Sequence, residues 1–152
     1  MPFLDAIDGN DVNADVFWNV SEAVGNGCPN IVEDVMLVQF FLKRAAEKFP
    51  LNKETITVNG VCDSVTIRAI YKFQSTYGSS VDGIIDRAKT GTPWSSKTKK
   101  EYTIILLNNC LRYCDGAWFH NLIRDPSNQP PRLRPLYMHG SLPGMYPNDI
   151  KI

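Results

Sequence analysis

Two turns constrain this chain more than any other feature. "VNG" at residues 58–60 and "VDG" at 81–83 each place Asn or Asp before Gly, the dipeptides that most strongly mark tight turns. Between them, Val65, Ala69, Phe73 and Tyr77 are spaced by four, with Ile70 alongside, which predicts a helix from about Asp63 to Tyr77. Asp63 is placed to cap its amino end and Gly78 to close it. The segments "VNGVCDSVT" and "VDGIIDRAKT" share a β-branched residue, an Asx-Gly pair, an Asp and a later Thr. They predict a small pseudo-symmetric unit, not a long array.

The rest of the chain must cover that helix. "PNIVEDVMLVQFFLKRAAEKF" repeats apolar residues at Val35, Val38, Leu42, Ala45, Ala46 and Phe49, a second amphipathic helix that Pro50 stops. Asn30 with Glu33 reads as its capping box. A third helix is expected over about Lys99 to Cys114. Ile104 to Leu107 leave it no polar face in the middle, so both of its sides should be covered. Short strands are expected in "FWNVSEAVG" and beside the two turns, in "TITVNGV" and "SSVDGII". The fold class is therefore mainly α, with three helices and short strands or turns. Residues 1–19 are expected to be an irregular acidic arm, 20–94 the module, and 95–152 a further helix plus extension.

Residues 125–148 hold six of the ten prolines. The segment from 117 onward also carries Trp118, Phe119, Leu133, Leu136, Tyr137, Met138, Leu142, Met145 and Tyr146, too many apolar residues for a disordered linker. It is expected to wrap its own domain as an irregular strap, with Pro130-Pro131 lying extended across a helix groove.

Charge and cysteine content narrow the function classes. The formal net charge is zero, which gives no general affinity for polyanions, so nucleic acid is not an expected partner. Residues 1–50 carry eight acids against three Lys/Arg, and residues 95–152 carry eight Lys/Arg against four acids. That asymmetry allows the acidic start to lie near the basic end. No stretch approaches the ~20 apolar residues of a membrane span. The chain lacks the basic start and apolar run of a cleaved signal. It is therefore expected to be made as a cytoplasmic protein, reaching the periplasm or wall only by a route that reads no such signal. Cys28, Cys62, Cys110 and Cys114 are too scattered for a disulfide scaffold and are expected to be core thiols. Cys110, Cys114 and His120 lack the tight-loop spacing of a zinc site. "DVNADVFWNVSE" puts Asp11, Asn13, Asp15, Asn19 and Glu22 in calcium-loop order, but Val16 stands where such a loop needs Gly. No cofactor is expected.

Three blocks in order resemble a family. "DVMLVQFFL", "VNGVCDSVTIRAIYKFQ" and "YGSSVDGIIDRAKT" are similar to the peptidoglycan-binding domain of bacterial cell-wall enzymes. The matched positions are Val35, Val38, Gln39 and Leu42; Gly60, Thr66, Ala69, Ile70, Phe73 and Gln74; and Gly78, Val81, Asp82, Gly83 and Thr90. The upstream "AVGNGCPNIVEDVMLVQ" looks like a subgroup found in phage-like and secretion-associated wall proteins. Asn59, Cys62, Asp63 and Asp86 depart from the pattern. The resemblance covers roughly residues 20–94 and implies a three-helix scaffold in which Gln39 and Gln74 bridge backbone groups at helix ends.

The resemblance further implies a non-catalytic module that targets a larger assembly to peptidoglycan. The alternative is an assembly module of a secretion or phage-like system that keeps the fold, binds a protein partner and takes no glycan. Ligand contacts are expected on the second helix and its following turn. Tyr71 lies off the apolar stripe with Arg68 and Lys72 beside it, a set suited to wall-peptide carboxylates, and Gln74, Tyr77 and Asp82 complete the candidates. No H-E-x-x-H motif occurs. Glu22 or Glu33 would need a second carboxylate at a fixed separation to cleave a glycan.

Overall fold

The computed structural model describes residues 1–6, 16–48, 55–89, 92–124 and 129–133. Two antiparallel strands open the chain, β1 (Phe3–Ala6) and β2 (Val16–Asn19). The two-residue strand β3 (Val24–Gly25) follows and pairs with β4 (Ile84–Ile85). The helices are α1 (Val32–Lys48), α2 (Ser64–Tyr77), α3 (Thr103–Cys114) and α4 (Gly116–Arg124).

The predicted apolar stripes form one core. Val35, Val38, Phe41, Leu42 and Ala45 of α1, Ala69, Ile70 and Phe73 of α2, and Ile104, Ile105, Leu107 and Leu111 of α3 are all buried. Each of the larger ones contributes about 1.5–3 kcal/mol from leaving water. α3 packs against α1, β2 and α4, and this covers it on more than one side, as its unbroken apolar middle requires. α2 begins as the sequence indicates: the Asp63 carboxylate accepts from Thr66 N and Thr66 Oγ1, both at 2.9 Å. It ends with Gly78 N donating to Gln74 O at 3.0 Å.

Several expectations are corrected. There are four described helices, not three. Asp115 leaves the helical conformation, yet its amide still donates to Leu111 O while its carbonyl accepts from Phe119 N. One residue therefore ends α3 and starts α4, which seats Phe119 and Leu122 in the core. α3 itself begins at Thr103, because residues 92–102 form a separate loop. Residues 3–6 and 16–19 are paired strands and not an irregular arm, with Phe17 and Trp18 fully buried. Residues 55–58 form no strand. Asn30 is not a helix cap. It has φ of 51°, and its carboxamide accepts from Gly25 N at 2.8 Å and donates to Gly25 O at 2.9 Å.

The proline-rich segment is described only at its start. Residues 131–133 make a single tight helical turn, not an extended strap. Leu133 is buried and Arg132 meets Glu33 at 3.0 Å. That pair joins the acidic and basic parts of the chain at one point. The expected wrap over 134–152 and the calcium-loop positions Asp11, Asn13 and Asp15 lie outside the described residues. Asn19, the next position of that loop, is spent elsewhere. It is buried, with Oδ1 accepting from Ala88 N at 3.1 Å and Nδ2 donating to Ala88 O at 2.9 Å.

Candidate functional site

The two Asx-Gly turns are each held by a buried glutamine, and the two braces share one plan. Gln39 Oε1 accepts from Asn59 N and Gly60 N at 3.0 and 2.9 Å. Its Nε2 faces Asn59 Oδ1, Val61 O and Thr66 Oγ1 at 2.9–3.1 Å. Gln74 Oε1 accepts from Asp82 N and Gly83 N at 3.2 and 2.8 Å. Its Nε2 faces Asp82 Oδ1, Ile84 O and Thr103 Oγ1 at 3.0–3.1 Å. Asn59 and Asp82 also accept from the amide two residues on, Val61 N and Ile84 N. Asn59 thus does at the first turn what Asp82 does at the second, so that departure leaves the turn intact. Asp63, another departure, is the α2 cap.

The braces explain the glycines. Gly60 and Gly83 have φ of 79° and 71°, a left-handed conformation that side chains resist. A Cβ on Gly60 would meet Val32 Cγ1 at 2.5 Å, and one on Gly83 would meet the Tyr71 ring at 2.5 Å. The second contact lays Tyr71 against the second turn.

The six candidate residues therefore divide. Arg68, Tyr71 and Lys72 share the exposed face of α2, and Tyr71 is 43% exposed. Gln74 is fully buried and its amide is engaged in the brace, so it holds the turn and does not face a ligand. Asp82 is half-buried, with its carboxylate turned onto Ile84 N and Gln74. Tyr77 points the other way, stacked 4.7 Å from Phe73. Burial and a hydrogen bond to the Cys110 thiol push its phenol up to about 12.

Glu33 is held below its usual range by backbone hydrogen bonding, with Arg132 adding to the effect. That is the opposite of what the acid of a glycan-cleaving pair needs. Glu22 is exposed. Cys110 is buried, Cys28 and Cys62 are half-buried, and Cys114 is exposed, so the expectation of core thiols fails for Cys114. Among the described residues no group of three His, Cys, Asp or Glu is placed to hold a metal. No described helix is long and apolar enough to cross a membrane. Trp118 is taken up by Arg44, whose guanidinium lies 5.0 Å over its ring while also pairing with Asp115 and Glu47.

One aromatic was undervalued by the sequence. Trp94 is 59% exposed, on the loop between β4 and α3, beside Lys89, Lys99 and Tyr102. Its position next to Pro93 and ahead of "SSKTKK" was the available signal.

Fold and site together define a small, mainly helical module, built by using one turn-and-brace unit twice, with an exposed aromatic and two cations on its middle helix. Residues 32–89 match the peptidoglycan binding domain family. The matched segment runs from the first residue of α1 past the second brace, and stops short of Trp94, α3 and α4. No curated protein and no solved structure matches the chain.

Proposed function

We propose that this protein is a non-catalytic peptidoglycan-binding module that holds a larger assembly at the bacterial wall, using the outward face of α2. The observation that carries the reading is the family match over residues 32–89. It coincides with the two intact braces and leaves Arg68, Tyr71 and Lys72 on one exposed face. Peptidoglycan offers amino-sugar rings and stem-peptide carboxylates. A tyrosine ring gives the sugars a surface to stack on, and an arginine gives a carboxylate a two-pronged charged hydrogen bond. The braces matter because they fix both ends of α2, so this face is presented with little ordering cost on binding. Tyr71 gains further rigidity from its contact with the Gly83 turn.

Co-sedimentation with purified insoluble peptidoglycan tests the reading. The full chain should pellet with the wall, and a variant carrying Arg68→Ala, Tyr71→Ala and Lys72→Ala should stay largely in the supernatant while melting like the wild type. Sedimentation of the wild type no greater than that of an unrelated soluble protein would overturn wall binding and leave the assembly module as the reading to pursue.

A further inference from the structure

The loop between β4 and α3 lies mostly beyond the family-matched segment, which ends at Lys89, and is rich in lysine. Residues 86–102 carry five Lys/Arg against two acids, Asp86 and Glu101, in a chain whose net charge is zero. Arg87 is exposed and places its guanidinium 4.9 Å over the Phe3 ring. Lys89, Lys97, Lys99 and Lys100 are exposed.

The loop has a defined shape. Ser95 N donates to Lys100 O at 2.9 Å, Lys99 N to Ser95 O at 2.9 Å, and Tyr102 N to Pro93 O at 2.9 Å. Ser95 Oγ accepts from Lys97 N and Thr98 N at 3.2 and 3.3 Å. Trp94 and Glu101 pair as an isolated bridge. Its base is pinned where Asn19 of β2 clasps the backbone of Ala88. The result is an open cleft of about 430 Å³ lined by Lys89, Thr92, Trp94, Ser96, Lys99 and Tyr102.

Trp94 is the largest side chain in that lining and is 59% exposed. A solvent-facing indole in a cleft that two lysines also line has a definite chemical preference. The ring offers a flat apolar face to a sugar, the lysines favour an anion attached to it, and Thr92 and Ser96 supply hydroxyls. We infer that this cleft is a second binding site, distinct from the α2 face, for a carboxylate-bearing saccharide: a sugar ring stacks on Trp94 with its acid group between Lys89 and Lys99. The inference rests on the wall-binding reading for the choice of an acidic glycan over a nucleic acid strand, since stacking on a tryptophan amid lysines serves single-stranded nucleic acid too.

The test is a titration of the full chain with three probes: a soluble muropeptide bearing the lactyl and stem-peptide carboxylates, the neutral sugar chitotriose, and a short oligothymidine. Binding is read by calorimetry and by the Trp94 indole signal in NMR. The variants are Trp94→Ala, and Lys89→Gln combined with Lys99→Gly. Glycine suits position 99 because Lys99 has φ of 61°. Both act on exposed residues and should melt like the wild type, as a thermal scan verifies. The expected result is muropeptide binding that shifts the Trp94 signal, weakens about tenfold or more in each variant, and far exceeds that of chitotriose. Equal affinity for chitotriose overturns the role given to the lysines. Muropeptide binding insensitive to Trp94→Ala but lost in the Arg68, Tyr71, Lys72 variant overturns the second site and leaves the α2 face standing. Oligothymidine bound through Trp94 with no muropeptide binding overturns the saccharide assignment.

Discussion

The two Asx-Gly turns are made of the same parts and sit in different surroundings. At the first, Gly60 backs onto Val32 and Met36 of α1, and Thr66, which completes the brace, stands in the first turn of the helix that follows. At the second, Gly83 backs onto the half-exposed ring of Tyr71, and Thr103 is reached only after the chain has paired β4 with β3 and travelled round the Trp94 loop. Both glycines are buried, while Asn59 and Val61 at the first turn and Val81 at the second are exposed, so the turns differ in what backs the glycine and not in how far they face solvent. The brace tolerates the difference because it needs only a hydroxyl at the right place in space, not at a fixed distance along the chain. Both regions that carry the functional proposals, the α2 face and the lysine loop, adjoin the second turn.

The largest effect should come from the element that both turns share. Phe73 is fully buried between them, so Phe73→Ala should cost roughly 3–5 kcal/mol, enough to threaten a domain of this size. A melting temperature within two or three degrees of the wild type would show that α2 does not anchor the module.

Next, Gln39→Leu and Gln74→Leu each leave two turn amides without their acceptor. A made hydrogen bond is worth about 1 kcal/mol net, but an orphaned buried group costs about 1–3 kcal/mol, so each variant should lose roughly 2–4 kcal/mol in urea unfolding. Near-equal losses would confirm that the braces are equivalent in energy as well as in plan. A loss confined to one would break the comparison.

The glycines should separate the two turns. Gly60→Ala must displace a valine side chain and press towards Val32 O, 3.1 Å from the added carbon. Gly83→Ala need only swing the Tyr71 ring. Both pay for a left-handed backbone, on the order of 1 kcal/mol, and Gly60→Ala should be the more damaging of the two. Combining Gly83→Ala with Tyr71→Ala should recover part of the loss, and failure to do so would mean that the ring is not the obstacle.

The smallest effects are in acid and base. The carboxyl of Asp63 is lowered by the hydrogen bonds it accepts from the Thr66 amide and hydroxyl. Its folded pKa is below its unfolded one, so its contribution is complete above the ordinary value of 3.8 and is lost as pH falls through the folded pKa. Asp63→Asn keeps a cap and should remove that acid dependence, whereas Asp63→Ala should cost about 1 kcal/mol near neutrality. Tyr77 shows the opposite sign. Its pKa is raised to about 12, so its contribution is complete below about pH 10 and fades as pH rises through 12. An ultraviolet titration should show one tyrosine ionising well after an ordinary one, and Tyr77→Phe should abolish that late step.

Sequence alone determined the two turns, α1, α2 and the core face of α3. The signals there are local: Asx-Gly chemistry and apolar residues at helical spacing are complete within a dozen residues. It also put Tyr71 off the apolar stripe, and the resemblance implied a backbone-bridging role for Gln39 and Gln74, although Gln74 was expected at the ligand as well. The tertiary structure decided the rest. Asn19 read as a calcium-loop position and Asn108 carried no assigned role, yet each clasps the backbone of one residue by both its N–H and its C=O. Asn19 grips Ala88 from 69 residues away, and Asn108 grips Trp18 from 90. Thr90 matched the repeat on paper and lies outside the described residues, while Thr103 occupies the place that mirrors Thr66. α4 was hidden because Asp115-Gly116 reads as a stop, although one non-helical residue restarts the chain. A buried carboxamide gains little from its hydrogen bonds and loses much without them, so its role depends on which distant segment the hydrophobic core brings beside it. Periodicity carries no record of that partner.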